Sequence, residues 1–321
     1  MNRAGEVLGF LREGSGYVSG DLIASRLSIS RTAVWKILRQ LGRMGYAYDA
    51  LKGKGYRLTG APDRLYPWEV ERYLETRFVG REIIYKDSVG STNGVAFDLA
   101  LAGCGEGTCV IAETQGAGRG RLRRRWRSPY GKNIYVSSVL RPALHTSDVS
   151  PLTFISCLAA FDTLTSMGLA PTLKWPNDVL VNGRKICGTL IELIVEPDTV
   201  RFVVIGIGLN VNMSEADMDE EIRGKATSLF LETGNCFERA RVCGMLLNNL
   251  EKYYEAVKGR GVDEICRLWE ERANIRGVFM EIVQADRVYR GVSEGIGRDG
   301  AMLLREESGV VTRVIAGDVN F

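Results

Sequence analysis

The amino-acid sequence predicts a multi-domain α/β protein with a small helical head, and three observations carry that expectation. The chain has 321 residues, enough for two or three domains at about 100–200 residues each. Its composition is globular, with 45% apolar and 25% charged residues and no disorder, collagen or coiled-coil bias. Its charge is divided: residues 1–60 carry ten Lys and Arg against four Asp and Glu, a net +6, whereas the other 32 bases and 35 acids give −3. A basic head on a mildly acidic body points to a nucleic-acid module joined to something else; charge alone fits an ordinary solvated face as well.

In the head, residues 4–11 read as a short helix. Ser19 caps a second helix over 21–27 and, after Ser28 and Ile29, Ser30 caps a third over 31–44. In that third helix Val34, Ile37, Leu38 and Leu41 recur at helical spacing and face a core. The other face presents Arg31, Thr32, Trp35, Lys36, Arg39 and Arg43. Two short helices joined by a tight turn, the second basic outside and apolar inside, read as a helix-turn-helix with its recognition helix. Residues 45–58, with Lys52, Gly53, Lys54 and Gly55 at the tip, read as a hairpin, the wing of a winged helix. Arg31, Thr32, Lys36 and Arg39 then approach DNA bases or backbone, and Lys52 and Lys54 phosphates. The competing reading is a winged helix used for protein contact. Residues 59–63 are a linker that ends a first domain at residue 62, and Pro67 opens a helix to residue 78.

Several function classes drop out early. The longest apolar run is eight residues, 202–209, far short of the ~20 a bilayer helix needs. The start at Met1 lacks the apolar core of a signal peptide, so a cytoplasmic protein with no membrane partner is expected. Seven cysteines without a C-x-x-C pair argue for reduced thiols rather than a disulfide framework. The single histidine, His145, rules out a His-rich metal site and leaves a Ser-His-Asp triad dependent on one loop residue. Chemistry here must run on Lys, Arg, carboxylates, amides and backbone.

Four segments of the body carry such groups. Ser91, Thr92 and Asn93 stand at a strand-to-helix junction, where they either cap the helix or hold the polar head of a small ligand. A strand over 108–115 runs into a glycine loop, 116–126, and six arginines fall within 119–127. The glycine spacing G-x-G-x-G fails the dinucleotide fingerprint, and no Walker sequence occurs. Such a loop closes N–H groups and guanidinium forks around phosphates, or is a basic solvated or nucleic-acid loop. Lys174-Trp175-Pro176-Asn177-Asp178 is a turn, and Asn182-Gly183 between two β-rich runs signals a tight hairpin that puts Lys185 at the start of a strand. The plain alternative is a surface hairpin lysine. Finally, residues 203–212 read as a buried strand whose Gly206 and Gly208 admit a flat ligand, with Asn210 and Asn212 at its end.

Taken together, Ser91-Thr92-Asn93, Gln115-x-x-Gly118-Arg119-Gly120-Arg121, Lys174-Trp175-Pro176-Asn177-Asp178, Arg184-Lys185-x-x-Gly188 and Gly206-x-Gly208-x-Asn210 resemble biotin–protein ligases in order and spacing. With the winged helix in front, the whole chain is similar to the bifunctional biotin–protein ligase/biotin-operon repressor family. The resemblance implies a mixed-sheet α/β catalytic domain over 63–271 and a C-terminal SH3-like β-barrel over 272–321. Short strands near 278–283, 288–292, 300–304 and 310–314, preceded by helices near 237–257 and 263–272, fit that tail. Two departures stand out. Arg123 occupies a position where the family's loop has Gly, which implies a stiffer and more basic loop. A further C-terminal basic residue seen in some relatives has no counterpart before Phe321.

The resemblance also implies chemistry: biotin and MgATP give biotinyl-5′-AMP and pyrophosphate, and an acceptor lysine of a biotin carboxyl carrier protein, or carboxylase subunit, attacks the anhydride. Ser91, Thr92, Asn93 and Gln115, with Arg119, Gly120, Arg121, Lys185 and Gly188, are then biotin-binding. Arg119, Arg121, Arg124, Trp126, Lys185 and Asn210 contact ATP or the adenylate. Lys185, Arg121 and Asp178 are catalytic, Asp178 orienting or deprotonating the acceptor lysine. Metal ligands for Mg2+ are not assigned. Biotinyl-AMP acts as corepressor at operator DNA on a ligand-promoted homodimer. The alternatives are a ligand-sensing repressor without catalysis and a lipoate or octanoyl transferase.

Overall fold

Ser19 and Ser30 both close helix N-termini in the computed structural model of the protein, which describes residues 3–14 and 16–320. The predicted outer ends at Met1 and Phe321 lie outside the described residues. Ser19 Oγ accepts the Asp21 N–H at 3.2 Å and Ser30 Oγ the Ala33 N–H at 3.1 Å, opening α2 (Gly20–Leu27) and α3 (Arg31–Arg43). Helix α1 (Arg3–Glu13) packs on both. Val7, Leu8, Leu11, Ile23, Val34, Leu38 and Leu41 form the buried core, and Ile37 stays at its margin. Strands β1 (Ala47–Leu51) and β2 (Gly55–Gly60) make the wing, and Val18 adds a backbone bridge to Tyr56.

This first compact unit runs to Glu69, past the 59–63 linker. Residues beyond the linker enter its core. Leu65 and Tyr66 are buried, and the buried Glu69 carboxylate takes Arg12 at 2.8 Å and the Tyr46 hydroxyl at 2.5 Å. Trp68 Nε1 donates to the same hydroxyl at 2.7 Å. Burial, and after it the Glu69 bond, push the Tyr46 pKa upward, so the phenol keeps its proton.

After a short helix α4 (Pro67–Val70), the second unit alternates strands and helices: β3 (Ile83–Lys86), α5 (Thr92–Leu101), β4 (Cys109–Ala112), β5 (Ile134–Leu140) and α6 (Leu152–Ser166). There follow β6 (Pro171–Lys174), β7 (Asp178–Val181), β8 (Arg184–Glu196), β9 (Thr199–Leu209), α7 (Leu229–Thr233), α8 (Arg239–Arg260) and α9 (Val262–Ala273). Seven strands form one sheet in the order β3-β4-β5-β9-β8-β7-β6; β3 and β4 are parallel and the other pairs antiparallel. The sheet is mixed. Alternation along the strands separates two faces. Helix α5 packs over Phe202 and Val204, and α6 on the other face, where Cys157 meets Thr189. The segment Thr146–Ser166, which contains α6, is long and apolar enough on average to cross a membrane, but 67% of its most apolar stretch is buried in the core. Between β7 and β8, Asn182 and Gly183 take φ of 50° and 74°, the two left-handed positions of a tight hairpin turn.

The helix expected from Pro67 to residue 78 stops early. It gives way to a 3₁₀ turn, Glu71–Tyr73, and then to an extended Leu74. Side chains of α8 claim the N–H groups that a longer helix needs. Asn248 accepts from Glu75 at 2.9 Å, and the Glu251 carboxylate accepts from Arg77, Phe78 and Val79 at 2.6, 3.0 and 2.9 Å. Those three bonds hold the Glu251 pKa below the usual carboxylate range despite the burial that opposes them.

The tail folds into five antiparallel strands, β10 (Phe279–Gln284), β11 (Arg287–Ile296), β12 (Met302–Arg305), β13 (Val311–Val314) and β14 (Asp318–Asn320). Their order is β13-β12-β11-β10-β14, and the two edges are not paired with each other. Four strands match expectation; β14 is additional. The Trp175 Nε1 donates to Gly300 O at 3.0 Å, tying the β6–β7 turn to this sheet. Burial pushes the thiols of Cys109 and Cys157 up to about 12, as suits cysteines used as core filler.

Arg239 and Glu113 form an ion pair at 2.9 Å with both side chains at 0% exposure. Arg239→Met removes the buried carboxylate's charged partner and should destabilise the chain by about 3–5 kcal/mol in urea unfolding, while Arg239→Met with Glu113→Leu loses much less. Equal losses for the single and double variants contradict this account.

Candidate active site

The strand register places Gly188 of β8 opposite Gly208 of β9, and Leu190 opposite Gly206. Neighbouring side chains occupy the space these glycines leave. A Cβ on Gly208 would sit 2.5 Å from Trp126 Cε2; one on Gly188 would sit 2.8 Å from both Trp126 Cζ3 and Lys185 Cε. One on Gly206 would collide with Asn93 Oδ1 at 2.0 Å. Above this bare strip lies a cavity of about 420 Å³. Every residue expected from the sequence to bind biotin, nucleotide or acceptor lines it.

One end is neutral and hydrogen-bonding. Ser91 is the N-cap of α5 by backbone position, yet its hydroxyl makes no capping bond. The Thr92 N–H and hydroxyl both donate to Gln115 Oε1, at 2.8 and 3.1 Å, and Gln115 Nε2 donates to Ser128 Oγ at 3.1 Å. Asn93 is 4% exposed; it donates to Glu192 at 2.8 Å, and its Oδ1 lies 2.6 Å from the Ser137 hydroxyl. Thr92, Asn93 and Gln115 are thus braced, while Ser91 keeps an uncommitted hydroxyl at the junction.

The other end is charged. Lys185 Nζ lies 2.6 Å from Asp178 Oδ1 and 5.3 Å from the Trp126 ring centroid. Asn177 Nδ2 donates to Thr189 O at 2.6 Å, pinning the turn that presents Asp178. Across the cavity, Arg121 Nη1 donates to Asn177 Oδ1 at 3.3 Å and to Gly317 O at 3.4 Å. Burial pulls the Arg121 pKa below its ordinary value, with Asp318 and Asp178 acting against that shift. Arg124 pairs with Asp318, and Arg119 lies 3.5 Å from Glu192. The arginine loop closes on itself: Trp126 N–H donates to Gly118 O at 2.9 Å and Gly120 N–H to Arg124 O at 2.8 Å. Arg123, standing where the resembling pattern has glycine, takes a left-handed φ of 60°.

Asn210 lines the cavity with its amide already engaged. It donates to Thr227 O at 2.9 Å and accepts from Asn133 at 3.1 Å. Those bonds hold the segment whose Lys225 O accepts the Lys185 N–H at 2.8 Å. Sequence reasoning did not find Arg125, Arg127, Met213, Glu221, Lys225 or Asp318, which also line the cavity. Their contacts reach across long sequence separations, and only the arginine run hinted at two of them. His145 sits in an exposed turn with Ser147 Oγ 3.0 Å away and Asp148 beside it, apart from the cavity.

In the first unit, Arg31, Thr32, Lys36, Arg39, Lys52 and Lys54 are all exposed. Arg31 is held by Asp21 at 3.0 Å, and the Arg39 guanidinium lies 4.7 Å over the Trp35 ring.

A model of the biotin/lipoate A/B protein ligase family matches residues 85–210, and a helix-turn-helix domain model matches residues 3–57. The bifunctional ligase/repressor BirA of Bacillus spizizenii is 37% identical over 97% of this chain and 95% of that one. The biotin–[acetyl-CoA-carboxylase] ligase of Paracoccus denitrificans is 33% identical over 68% of this chain and 92% of that one. Among solved structures, the biotin protein ligase from Aquifex aeolicus in complex with biotin and ATP superposes with a TM-score of 0.63. That likeness has 27% identity and covers 75% of this chain and 98% of that one.

Gly208→Ala tests the bare strip, since its methyl group must expel the Trp126 indole. The variant should keep its unfolding midpoint, shift its tryptophan emission to the red and bind ligand at least tenfold more weakly. Unaltered emission and affinity would show that the close approach is not needed.

Proposed function

The chain belongs to the family of bifunctional biotin ligase/repressors, and from that premise we propose how its residues divide the work. It is an ATP-dependent biotin–protein ligase and a repressor. Carboxylates do not acylate amines at neutral pH, so the carboxyl group must first be activated. A biotin carboxylate oxygen attacks the α-phosphorus of ATP and pyrophosphate leaves; an acceptor lysine then attacks the acyl carbon and AMP leaves. The observation that carries the assignment of roles is the Lys185–Asp178 pair on the glycine strip, facing Arg121 and Arg124 across one cavity.

Ser91, Thr92 and Gln115 take the ureido head of biotin at the neutral end, with Asn93 bracing them from below. Lys185 stands at the meeting point of carboxylate and α-phosphate, and it neutralises both as they approach. Arg119, Arg121 and Arg124, with Gly120, enclose the phosphates, and Trp126 covers the reacting centre over Gly188. Asp178 directs the acceptor lysine and takes its proton. Asn210 supports the adenine side through the segment it holds. Among the described residues no group of three or more His, Cys, Asp or Glu could hold a metal ion. Asp178, Glu221 and Asp318 reach the cavity from separate places in the chain, so magnesium enters as part of the MgATP substrate.

The acceptor is a lysine of a biotin carboxyl carrier protein or carboxylase subunit, a class that the name of the Paracoccus relative suggests. The five-stranded tail is a small SH3-like module, and the head a DNA-binding winged helix using Arg31, Thr32, Lys36, Arg39, Lys52 and Lys54. The protein acts in the cytoplasm as a ligand-promoted homodimer, with biotinyl-AMP as corepressor. The family model also spans lipoate enzymes. A repressor lacking catalysis is the other reading, and pyrophosphate release from ATP plus biotin separates it.

Lys185→Gln should lower biotin-dependent ATP–pyrophosphate exchange 10²–10³-fold, about 3–4 kcal/mol of transition-state stabilisation, with an unchanged circular dichroism spectrum. Exchange within twofold of the parent removes Lys185 from catalysis. Separately, biotinyl-AMP should tighten operator binding at least tenfold, and operator binding should weaken steeply with salt. Equal operator affinity with and without biotinyl-AMP eliminates the corepressor role.

A further inference from the structure

Four cations of the cavity are already answered by groups of the protein itself. Lys185 has Asp178, Arg119 has Glu192, Arg121 has Asn177 Oδ1 and Gly317 O, and Arg124 has Asp318. The last two partners come from the C-terminal sheet, 194 or more residues along the chain. We propose that Asp318 is a resident anion: its carboxylate stands in for a phosphate on the arginine loop of the ligand-free protein and competes with the phosphates of the nucleotide for Arg124. This rests on the ATP-dependent reading of the cavity given above.

The placement is built, not incidental. Val283 of β10 pairs with Asp318, and Ile282 with Val319, so β14 fixes where the carboxylate emerges. Gly317 precedes it with no room for a side chain, since a Cβ there would lie 2.4 Å from Ile282 Cγ2. The carbonyl and carboxylate of two successive residues therefore face two arginines of one loop. Asp318 also acts on Arg121, where its charge opposes the loss of basicity that burial causes. Arg124 is exposed and Arg121 more enclosed, so the carboxylate mainly offsets the mutual repulsion of two guanidinium groups on one loop when no phosphate is bound. A carboxylate carries less charge than a triphosphate and yields to it. After pyrophosphate has left, a single phosphate remains, and Asp318 can take Arg124 back and hold the loop over the adenylate.

Titration of the full-length chain with inorganic pyrophosphate and with ATP, by calorimetry, tests this directly. Asp318→Asn keeps the shape and removes the competing charge. It should tighten both ligands about three- to fivefold, the size appropriate to a partly exposed ion pair, with a smaller change for biotin. The gain should shrink as salt is raised, and Asp318→Glu should stay near the parent. Asp318→Ala, with its thermal midpoint recorded, separates lost charge from a loosened loop. Unchanged or weaker pyrophosphate binding in Asp318→Asn overturns the proposal and makes Asp318 an anchor or a metal ligand instead. If the parent chain binds neither ATP nor pyrophosphate, the ATP-dependent reading fails first, and this inference with it.

Discussion

The register between β8 and β9 governs the catalytic unit. With Gly188 set against Gly208 and Gly206 one pair further on, a strip without side chains runs across two central strands. Asn93 and Trp126 settle onto that strip from the α5 junction and from the arginine loop. A slip of one residue would turn Cys187 and Ile207 towards the ligand and send the glycines to the α6 face. The same register carries Lys185 to the charged end, because the tight Asn182-Gly183 turn leaves no freedom in where β8 begins. Backbone pairing thus positions the ammonium group. Asp178 at 2.6 Å and the Trp126 ring then fix where the end of that side chain points.

Electrostatics then shapes what the strip can hold. The neutral end is a set of amides and hydroxyls braced by one another and by the Glu192 carboxylate, with Ser91 left uncommitted. The cationic end would repel itself and lose hydration if left alone. Carboxylates from β7, β8 and β14 relieve it by pairing with Lys185, Arg119 and Arg124. Such pairing preorganises the charges for an incoming anion. Arg123 sits oddly in this scheme: its exposed side chain touches none of these carboxylates, and its left-handed φ of 60° costs about 1–2 kcal/mol relative to glycine. Leu122, with a φ of 54°, shares that conformation, so the loop stores strain at two successive residues, one of them the position where it departs from the family pattern.

Much of the site was legible because its residues come in short runs at turns. Ser91-Thr92-Asn93 opens α5, the Gly-Arg-Gly-Arg run lies in the loop after β4, Asn177-Asp178 and Lys185 stand at strand starts and the Gly206–Gly208 pair near the end of β9, where local spacing is informative. Ser19, Ser30 and the wing turn were equally local. What escaped was tertiary. Nothing within residues 67–78 reveals that Glu251 will take the N–H groups of Arg77, Phe78 and Val79 and stop the helix. Nothing near Arg124 points to Asp318, and β14 is too short to read as a strand at all. Asn210 was found, but its place in the cavity did not disclose that its amide is spent on Thr227 and Asn133.

A mixed anhydride formed in this cavity has to survive until an acceptor arrives, and the architecture bears on that lifetime more than on the speed of activation. Lys185 rides on a rigid ladder and is present whether the loop is open or closed. The arginines ride on a loop whose closure depends on bonds of its own backbone and on acceptors borrowed from the C-terminal sheet. On the proposed roles, formation and retention of the intermediate are carried by different parts of the fold. On the proposed scheme the retained intermediate is also the corepressor, so long residence serves both activities. Anything that favours the closed loop raises the occupancy of the ligand-bound state, and by linkage it raises the affinity of any partner that selects that state. A ligase that released its intermediate quickly could still activate biotin, yet it could not report the supply of biotin to DNA.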